Sequence, residues 1–411
     1  MQKKELKPKI LIIAVLILFN LFFSKATGSV DIERMAIITA IGIDMENCSY
    51  SITAQIAVPE EDSTSTEKRK THLEGKGETV GEAIKSISDI SGWYPQLVFC
   101  NLIVVGKDFK EENVLTVLDF FAKTLRVQDS ALVVYSADVS ARELLSESSP
   151  MDNISSFAIQ KILHKKDGFN KDVAEVNIKN FCADYYSRTN SSYMPIIKVI
   201  KQEDTSSKEQ SSSSGNDSTN KMGGEETGGK KTPESGGNSL FNAKTTALFK
   251  NGMLVGELSE EETATFNLLT EPFSESTLFV QNVKKGIYEK CNYLVTVVKS
   301  SKKVSITADD NGVTLNAKLK IYCKISDQNS TTSETVSAKN VPLPTELQEA
   351  LEEKIKENFY SLIQKIKITN CDILKLDQML YRYNYKYYPT YKDSLLEKMN
   401  LNFELSVSGQ K

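Results

Sequence analysis

Residues 30–44 read VDIERMAIITAIGID. A charged lead, Asp31 to Arg34, runs into an apolar stretch from Met35 to Ile43. An uninterrupted apolar run of this length, followed by Gly42, Asp44 and Asn47, reads as a buried strand and a turn. The next segment, Tyr50–Val58, alternates: Tyr50, Ile52, Ala54, Ile56 and Val58 share one side. That is the period of a half-buried strand pairing back on the first. The folded part of the chain therefore opens with a sheet.

Upstream lies a different kind of segment. Lys3, Lys4, Lys7 and Lys9 precede an apolar run from Ile10 to Phe23, broken by Asn20. Fourteen residues span about 21 Å as helix, against a bilayer core of about 30 Å. The layout is that of an export signal, with Ser24-Lys25-Ala26 as a small-x-small cleavage site. Lys9 and Lys25 could also snorkel and let a short helix stay as an anchor. Cleavage and retention are both open. In either case the lysines hold the first end in the cytoplasm and place the rest outside it.

The chain of 411 residues is long enough for two or three domains. Fifty basic side chains balance 54 acidic ones, so no nucleic-acid partner is implied. The one clear internal boundary is residues 202–239, with nine serines, seven glycines and Met222 as the sole apolar side chain. Such a tract is expected to be disordered, as a linker or a long loop. The expected organisation is a signal peptide or anchor at 1–28, an N-terminal α+β domain at 29–201, the Ser/Gly-rich tract at 202–240, and a C-terminal α+β domain at 241–411.

In the first half, TVGEAIKSISDI places Val80, Ile84, Ile87 and Ile90 on one helical face. Leu97–Val105 reads as a central strand. ENVLTVLDFFAKTL reads as a helix burying Val114, Val117, Leu118, Phe121 and Leu125. ALVVYS is a further strand, SARELL and NISSFAIQKILHKK are helices with Ser140 and Asn153 as N-caps, and YMPIIKVI closes the sheet. In the second half, Asn251-Gly252 marks a hairpin and Ser259-x-x-Glu262 a capping box. Four strands follow, TLFVQNV, CNYLVTVV, KVSITA and VTLNAKLKIYC, the last two joined through Asp310-Asn311-Gly312. Pro344 and Thr345-x-x-Gln348 open a long helix whose stripe is Leu347, Leu351, Ile355, Phe359, Leu362 and Ile366; CDILKLDQMLYRY continues as a second helix, and LNFELSV is a last strand. The fold class is α+β, with mixed or antiparallel sheets packed by helices.

No catalytic, cofactor-binding or metal-binding residues emerge. Gly75-x-Gly77-x-x-x-Gly81 has the wrong spacing for a phosphate loop and follows a polar stretch, so a turn before a helix is expected. His72 and His164 stand apart, with no HExxH and no GxSxG in the chain. The cysteines, Cys48, Cys100, Cys182, Cys291, Cys323 and Cys371, form no CxxC. Cys100 sits in an apolar run and reads as a buried thiol, whereas Cys291 and Cys323 could pair in an oxidising compartment. The stretch Tyr381–Lys392 sets six tyrosines among cations, to seal a core edge, serve a protein interface or stack on a ligand.

Taken in order, these segments resemble the Ger(x)C family, the C subunits of GerA-type spore germinant receptors. VDIERMAIITAIGID is similar to the family's opening strand ending in Gly-x-Asp, GETVGEAIKSIS to its next helix and NLIVVGKDF to its central strand. LDFFAKTLRVQDSALVVYSADVSARELL, TALFKNGMLVGELSEEETATFNLL, and CDILKLDQMLYRYNYKYY through LNFELSVSG resemble its later parts. The family is usually lipidated at a cysteine after the apolar segment. Here Lys25-Ala26-Thr27-Gly28-Ser29 stands in that place without one, which favours an uncleaved helix as the anchor. The resemblance implies a non-enzymatic, membrane-tethered, extracytoplasmic subunit without cofactors or a small-molecule site of its own. It would assemble with integral membrane subunits of A and B type in the spore inner membrane. The alternatives are an envelope solute- or glycan-binding module using the tyrosines, or a thiol-dependent envelope hydrolase.

Overall fold

The computed structural model describes residues 12–19, 34–57, 72–123, 127–147, 149, 152, 154–164, 172–201, 239–271, 276–285, 289–330 and 343–409. The expected cleavage site at Ser24–Ala26, the lipidation position and the tract at 202–238 lie outside them, as do Val58, Leu125 and Asn153. Residues 12–19 are helical (α1) with exposed side chains. Among the described residues no helix is long and apolar enough to cross a membrane.

The fold is α+β, with two mixed sheets packed by helices. The first half contributes strands β1 (Met35–Glu46), β2 (Ser49–Ile56), β3 (His72–Gly77), β4 (Tyr94–Gln96), β5 (Leu102–Val105), β6 (Leu132–Ser136) and β7 (Ser191–Lys201). Its helices are α2 (Val80–Ser91), α3 (Leu115–Lys123), α4 (Ala141–Ser146), α5 (Ser155–Leu163) and α6 (Ile178–Tyr185). β8 (Ser239–Lys250) and β9 (Met253–Leu258) complete a sheet ordered β3-β2-β1-β5-β6-β7-β8-β9, with β4 paired to β1. β1, β5, β6 and β7 run parallel at its centre. Helices cover both faces. Val80, Val117 and Phe181 from α2, α3 and α6 pack with Ile41 and Ile43 on one side. Leu144 and Ile159 from α4 and α5 pack with Ala40 and Val104 on the other. A parallel strand covered on both faces needs apolar side chains at successive positions, which is why β1 is apolar without alternation.

Several boundaries differ from the sequence expectation. β1 runs through Gly42 and Asp44, and the turn is Asn47-Cys48, both at positive φ. Leu97–Phe99 is a short 3₁₀ turn, so the central strand is reduced to β5. Ile90 is 78% exposed and leaves the buried face of α2 to Val80, Ala83 and Ile87. Ile154 occupies the N-cap position of α5, without a side-chain bond. Gly75 and Gly77 lie in a strand, not in a turn. A Cβ on Gly75 would stand 2.1 Å from the Ala83 carbonyl oxygen, so the glycines allow α2 to rest on β3.

β7 is not the sheet's closing strand. It pairs antiparallel with β8, Lys201 opposite Ser239, so the Ser/Gly tract joins two neighbouring strands. β8 and β9, which the sequence groups with 241–411, extend the sheet of 29–201. The Asn251-Gly252 hairpin forms between them, at φ 51° and 77°.

After α7 (Glu260–Thr270), the second sheet has the order β10 (Ser276–Lys285), β11 (Glu289–Asp309), β12 (Gly312–Ser330), β13 (Met399–Gly409). CNYLVTVV and KVSITA are one 21-residue strand, β11, accommodated by register shifts near Leu294 and Val297. β12 alternates strictly, burying Val313, Leu315, Ala317, Leu319, Ile321 and Cys323. These face α8 (Thr345–Thr369), whose stripe from Leu347 to Ile366 is buried as expected. Pro344 caps α8 without a side-chain bond, so Thr345 and Gln348 form no capping box. The chain then passes through α9 (Leu376–Tyr383), α10 (Tyr388–Tyr391) and α11 (Leu395–Lys398) to β13, parallel to β12.

Candidate functional site

Asn370 ends α8 in the left-handed conformation, and the turn that follows is driven into the first sheet. The Cys371 thiol donates to the Phe249 carbonyl of β8 at 3.3 Å, and the Asp372 N–H donates to Ser191 Oγ at the start of β7. The Asp372 carboxylate accepts the N–H groups of Leu376 and Asp377, both at 2.9 Å, and so seats the first turn of α9. Burial pushes the Asp372 carboxyl above its ordinary value despite these two donors. The elements of the two sheets meet here.

A cleft of about 520 Å³ opens at this seam. Tyr193 of β7 and Phe266 of α7 meet edge to face at 4.9 Å on its floor, with Leu269, Ile373 and Met379. Lys302 of β11, Lys375 and Arg382 supply cations, and Glu271 an acid. Lys375 is paired with Asp184 at 2.7 Å. Burial lowers the Lys302 ammonium below its ordinary value, with Glu271 opposing. The Tyr193 phenol is raised by burial. The floor is apolar and the rim carries charges of both signs. Its residues come from four separate stretches of the chain, and no local motif in the sequence marks them.

The tyrosine stretch borders this cleft through Tyr383. The Arg188 guanidinium lies 3.5 Å from the centroid of the Tyr381 ring and 5.3 Å from that of Tyr388. Tyr388 Oη donates to Asp377, and Tyr391 Oη to the Asp309 carbonyl. The rings of Tyr388 and Tyr391 pack on the core of the second half. Tyr383 and Tyr385 instead stand 75% and 65% exposed, between exposed Arg382 and Lys386. The stretch thus divides into core-sealing rings and an outward aromatic–cation strip. Arg188 is a partner the sequence did not indicate.

The remaining chemistry-bearing residues are dispersed. Cys100, Cys323 and Cys371 are buried and their thiols are pushed up to about 12 by burial, Cys182 to about 11. A thiol nucleophile needs the opposite environment. Cys291 and Cys323 do not face one another: Cys291 is opposite Ser330 and Cys323 opposite Val297, and both are free. His164 caps α5 with Nδ1 3.7 Å from Glu175, and His72 Nε2 lies 3.8 Å from Glu74. Among the described residues no group of three or more His, Cys, Asp or Glu could hold a metal ion. An open groove of about 1250 Å³ between α7, β10 and α8 carries Glu260, Glu261, Glu346, Glu349, Glu353 and Glu357 along its walls.

Two family models match this chain. One, described as "Spore germination protein N-terminal domain", matches residues 28–199. The other, described as "Spore germination B3/ GerAC like, C-terminal", matches residues 244–409. A solved structure described as the crystal structure of the GerBC protein is similar in fold, with a TM-score of 0.50 and 15% sequence identity over 93% of this chain and 100% of that one. No curated protein matches the chain.

Proposed function

This chain belongs to the Ger(x)C family of spore germination proteins, and from that membership we propose that it is a non-enzymatic subunit of a spore germinant receptor. In this reading it is tethered by its N-terminal apolar segment on the extracytoplasmic face of the spore inner membrane. It assembles there with integral membrane subunits of A and B type. Germinant binding to the assembly shifts a conformational equilibrium toward a state that releases ions and dipicolinate. The two halves move as one body in this scheme, because β8 and β9 are built into the first sheet and the turn at Cys371–Asp372 is bonded to β7 and β8.

The observation that carries the assembly role is the exposed strip Arg382, Tyr383, Tyr385 and Lys386 beside the seam cleft. Aromatic and guanidinium groups are the side chains that protein interfaces favour. A glycan-binding module is less well supported, since Arg188 covers the Tyr381 ring and Tyr388 and Tyr391 are committed to the core. The test is co-purification of a tagged chain with the membrane subunits from detergent-solubilised spore membranes. Tyr383→Asp with Tyr385→Asp should abolish co-purification and slow dipicolinate release, while the chain still accumulates. Unchanged co-purification and germination in that double variant would overturn the assignment.

A further inference from the structure

β4 pairs in parallel with the first residues of β1: Met35 opposite Tyr94, Ala36 opposite Pro95, Ile37 opposite Gln96. Residues paired in register share a face of the sheet, so Ile37 and Tyr94 lie on the same side. Both are exposed, whereas Ala36 and Ile38 on the other side are buried. The elements bordering this ribbon expose apolar side chains as well. Ile90 stands at the end of α2, Trp93 follows its Gly92 cap, and Val98 and Phe99 form the 3₁₀ turn after β4. These are six large exposed apolar side chains on the segments around the β1–β4 pair, three of them aromatic. A contiguous apolar patch on a folded surface marks a contact site.

We infer that Ile37, Ile90, Trp93, Tyr94, Val98 and Phe99 form a face that beds into the interfacial layer of a lipid bilayer. Position in the chain argues for lipid as the occupant. β1 starts at Met35, and ten residues lie between Phe23, the end of the apolar leader, and Arg34, eleven steps of chain. Covalent geometry limits that connection to about 38 Å. A bilayer that holds the leader therefore stays within reach of this edge. The composition fits the same environment, since Trp and Tyr are enriched at the membrane–water boundary. Exposed Arg34, at the head of β1, adds a cation for anionic headgroups at the same edge. The face would orient the body on the membrane by giving it a second point of contact besides the leader.

The inference rests on the membrane-tethered reading above. Trp93 is the sole tryptophan of the chain and reports its own surroundings. The full chain is reconstituted into phosphatidylglycerol–phosphatidylethanolamine vesicles, and flotation establishes tethering. The expected result is Trp93 emission shifted to the blue, quenched by brominated lipid and shielded from iodide. In the triple variant Ile90→Ser, Tyr94→Ser, Phe99→Ser, flotation and the unfolding midpoint should be unchanged. Its Trp93 should lose quenching by brominated lipid and gain quenching by iodide. Floating wild-type protein whose Trp93 is open to iodide and untouched by brominated lipid would overturn the inference and leave the tether intact. Shielding that arises solely when the membrane subunits are co-reconstituted would also overturn it, by giving the face to protein. Failure to float would remove the tether and this face with it.

Discussion

Asp44 Oδ1 accepts the N–H of Ala141 at 2.7 Å, across 97 residues of chain, and Oδ2 accepts that of Arg142 at 2.9 Å. The carboxylate at the end of the opening strand thus holds the first turn of α4 against the sheet. An acidic group accepting the free N–H groups of a helix start is doubly favoured, by hydrogen bonding and by the helix dipole. Asp44→Ala should lower stability by about 2–3 kcal/mol, the cost of leaving buried donors without an acceptor. Asp44→Asn, which keeps one acceptor oxygen, should cost less. Urea denaturation of both variants measures this, and an unchanged midpoint for Asp44→Ala would refute the role.

Two glycines make that contact possible, and they should respond differently to alanine. A Cβ on Gly106 would lie 1.9 Å from Asp44 Oδ1 and 3.1 Å from the Ala141 nitrogen. On Gly42 it would lie 3.0 Å from Leu145 Cδ1, the movable end of a side chain, and 3.1 Å and 3.2 Å from the Cβ and carbonyl carbon of Ala141. Gly106→Ala is therefore expected to cost more than about 3 kcal/mol or prevent folding, and Gly42→Ala about 1–2 kcal/mol. Equal thermal midpoints for the two variants would contradict the geometry.

The Asp372 carboxyl at the seam is raised above its ordinary 3.8 by burial. A raised carboxyl binds its proton more tightly in the folded state. Its contribution to stability is complete below the unfolded value and is lost as pH rises through the folded one. The stability of the wild type relative to Asp372→Asn should accordingly fall as pH rises from about 4. Denaturation midpoints of both proteins between acid and neutral pH give the sign. A difference that grows with pH would show that the two N–H donors outweigh burial.

Cysteine reactivity should separate one thiol from five. Cys48 is exposed in the β1–β2 turn, whereas Cys100, Cys182, Cys291, Cys323 and Cys371 are buried. Native protein should react with Ellman's reagent at a single thiol, lost in Cys48→Ser, and all six should react in denaturant. Rapid native labelling of Cys100 would revive the thiol-enzyme alternative.

Phe359 of α8 stacks on Phe403 of β13 with ring centroids 4.0 Å apart and planes 9° from parallel. Phe359 is fully buried. Phe359→Ala should cost about 3–5 kcal/mol, read as a shift in urea midpoint. A loss below 1 kcal/mol would show that α8 is not held by this contact.

What the sequence determined by itself was local. The alternation of Tyr50–Ile56 placed β2, although Ser51, Thr53 and Gln55 on its other face are buried as well, so the strand is not half-buried; the stripe from Leu347 to Ile366 placed α8, and Asn251-Gly252 and Ser259-x-x-Glu262 became the turn and the capping box that they spell. Each of these depends on residues a few positions apart, whose geometry the chain itself sets. The order of the segments was enough to suggest the family. The tertiary structure decided what depends on distant partners. It fused CNYLVTVV with KVSITA into β11, because a register shift against β12 is set by the neighbouring strand. It put Ser239 beside Lys201 and so carried the first sheet across the Ser/Gly tract, since pairing depends on proximity in space and not on the composition between. It also gave the tyrosine stretch its two roles, by placing Arg188 on Tyr381 and leaving Tyr383 and Tyr385 to face outward.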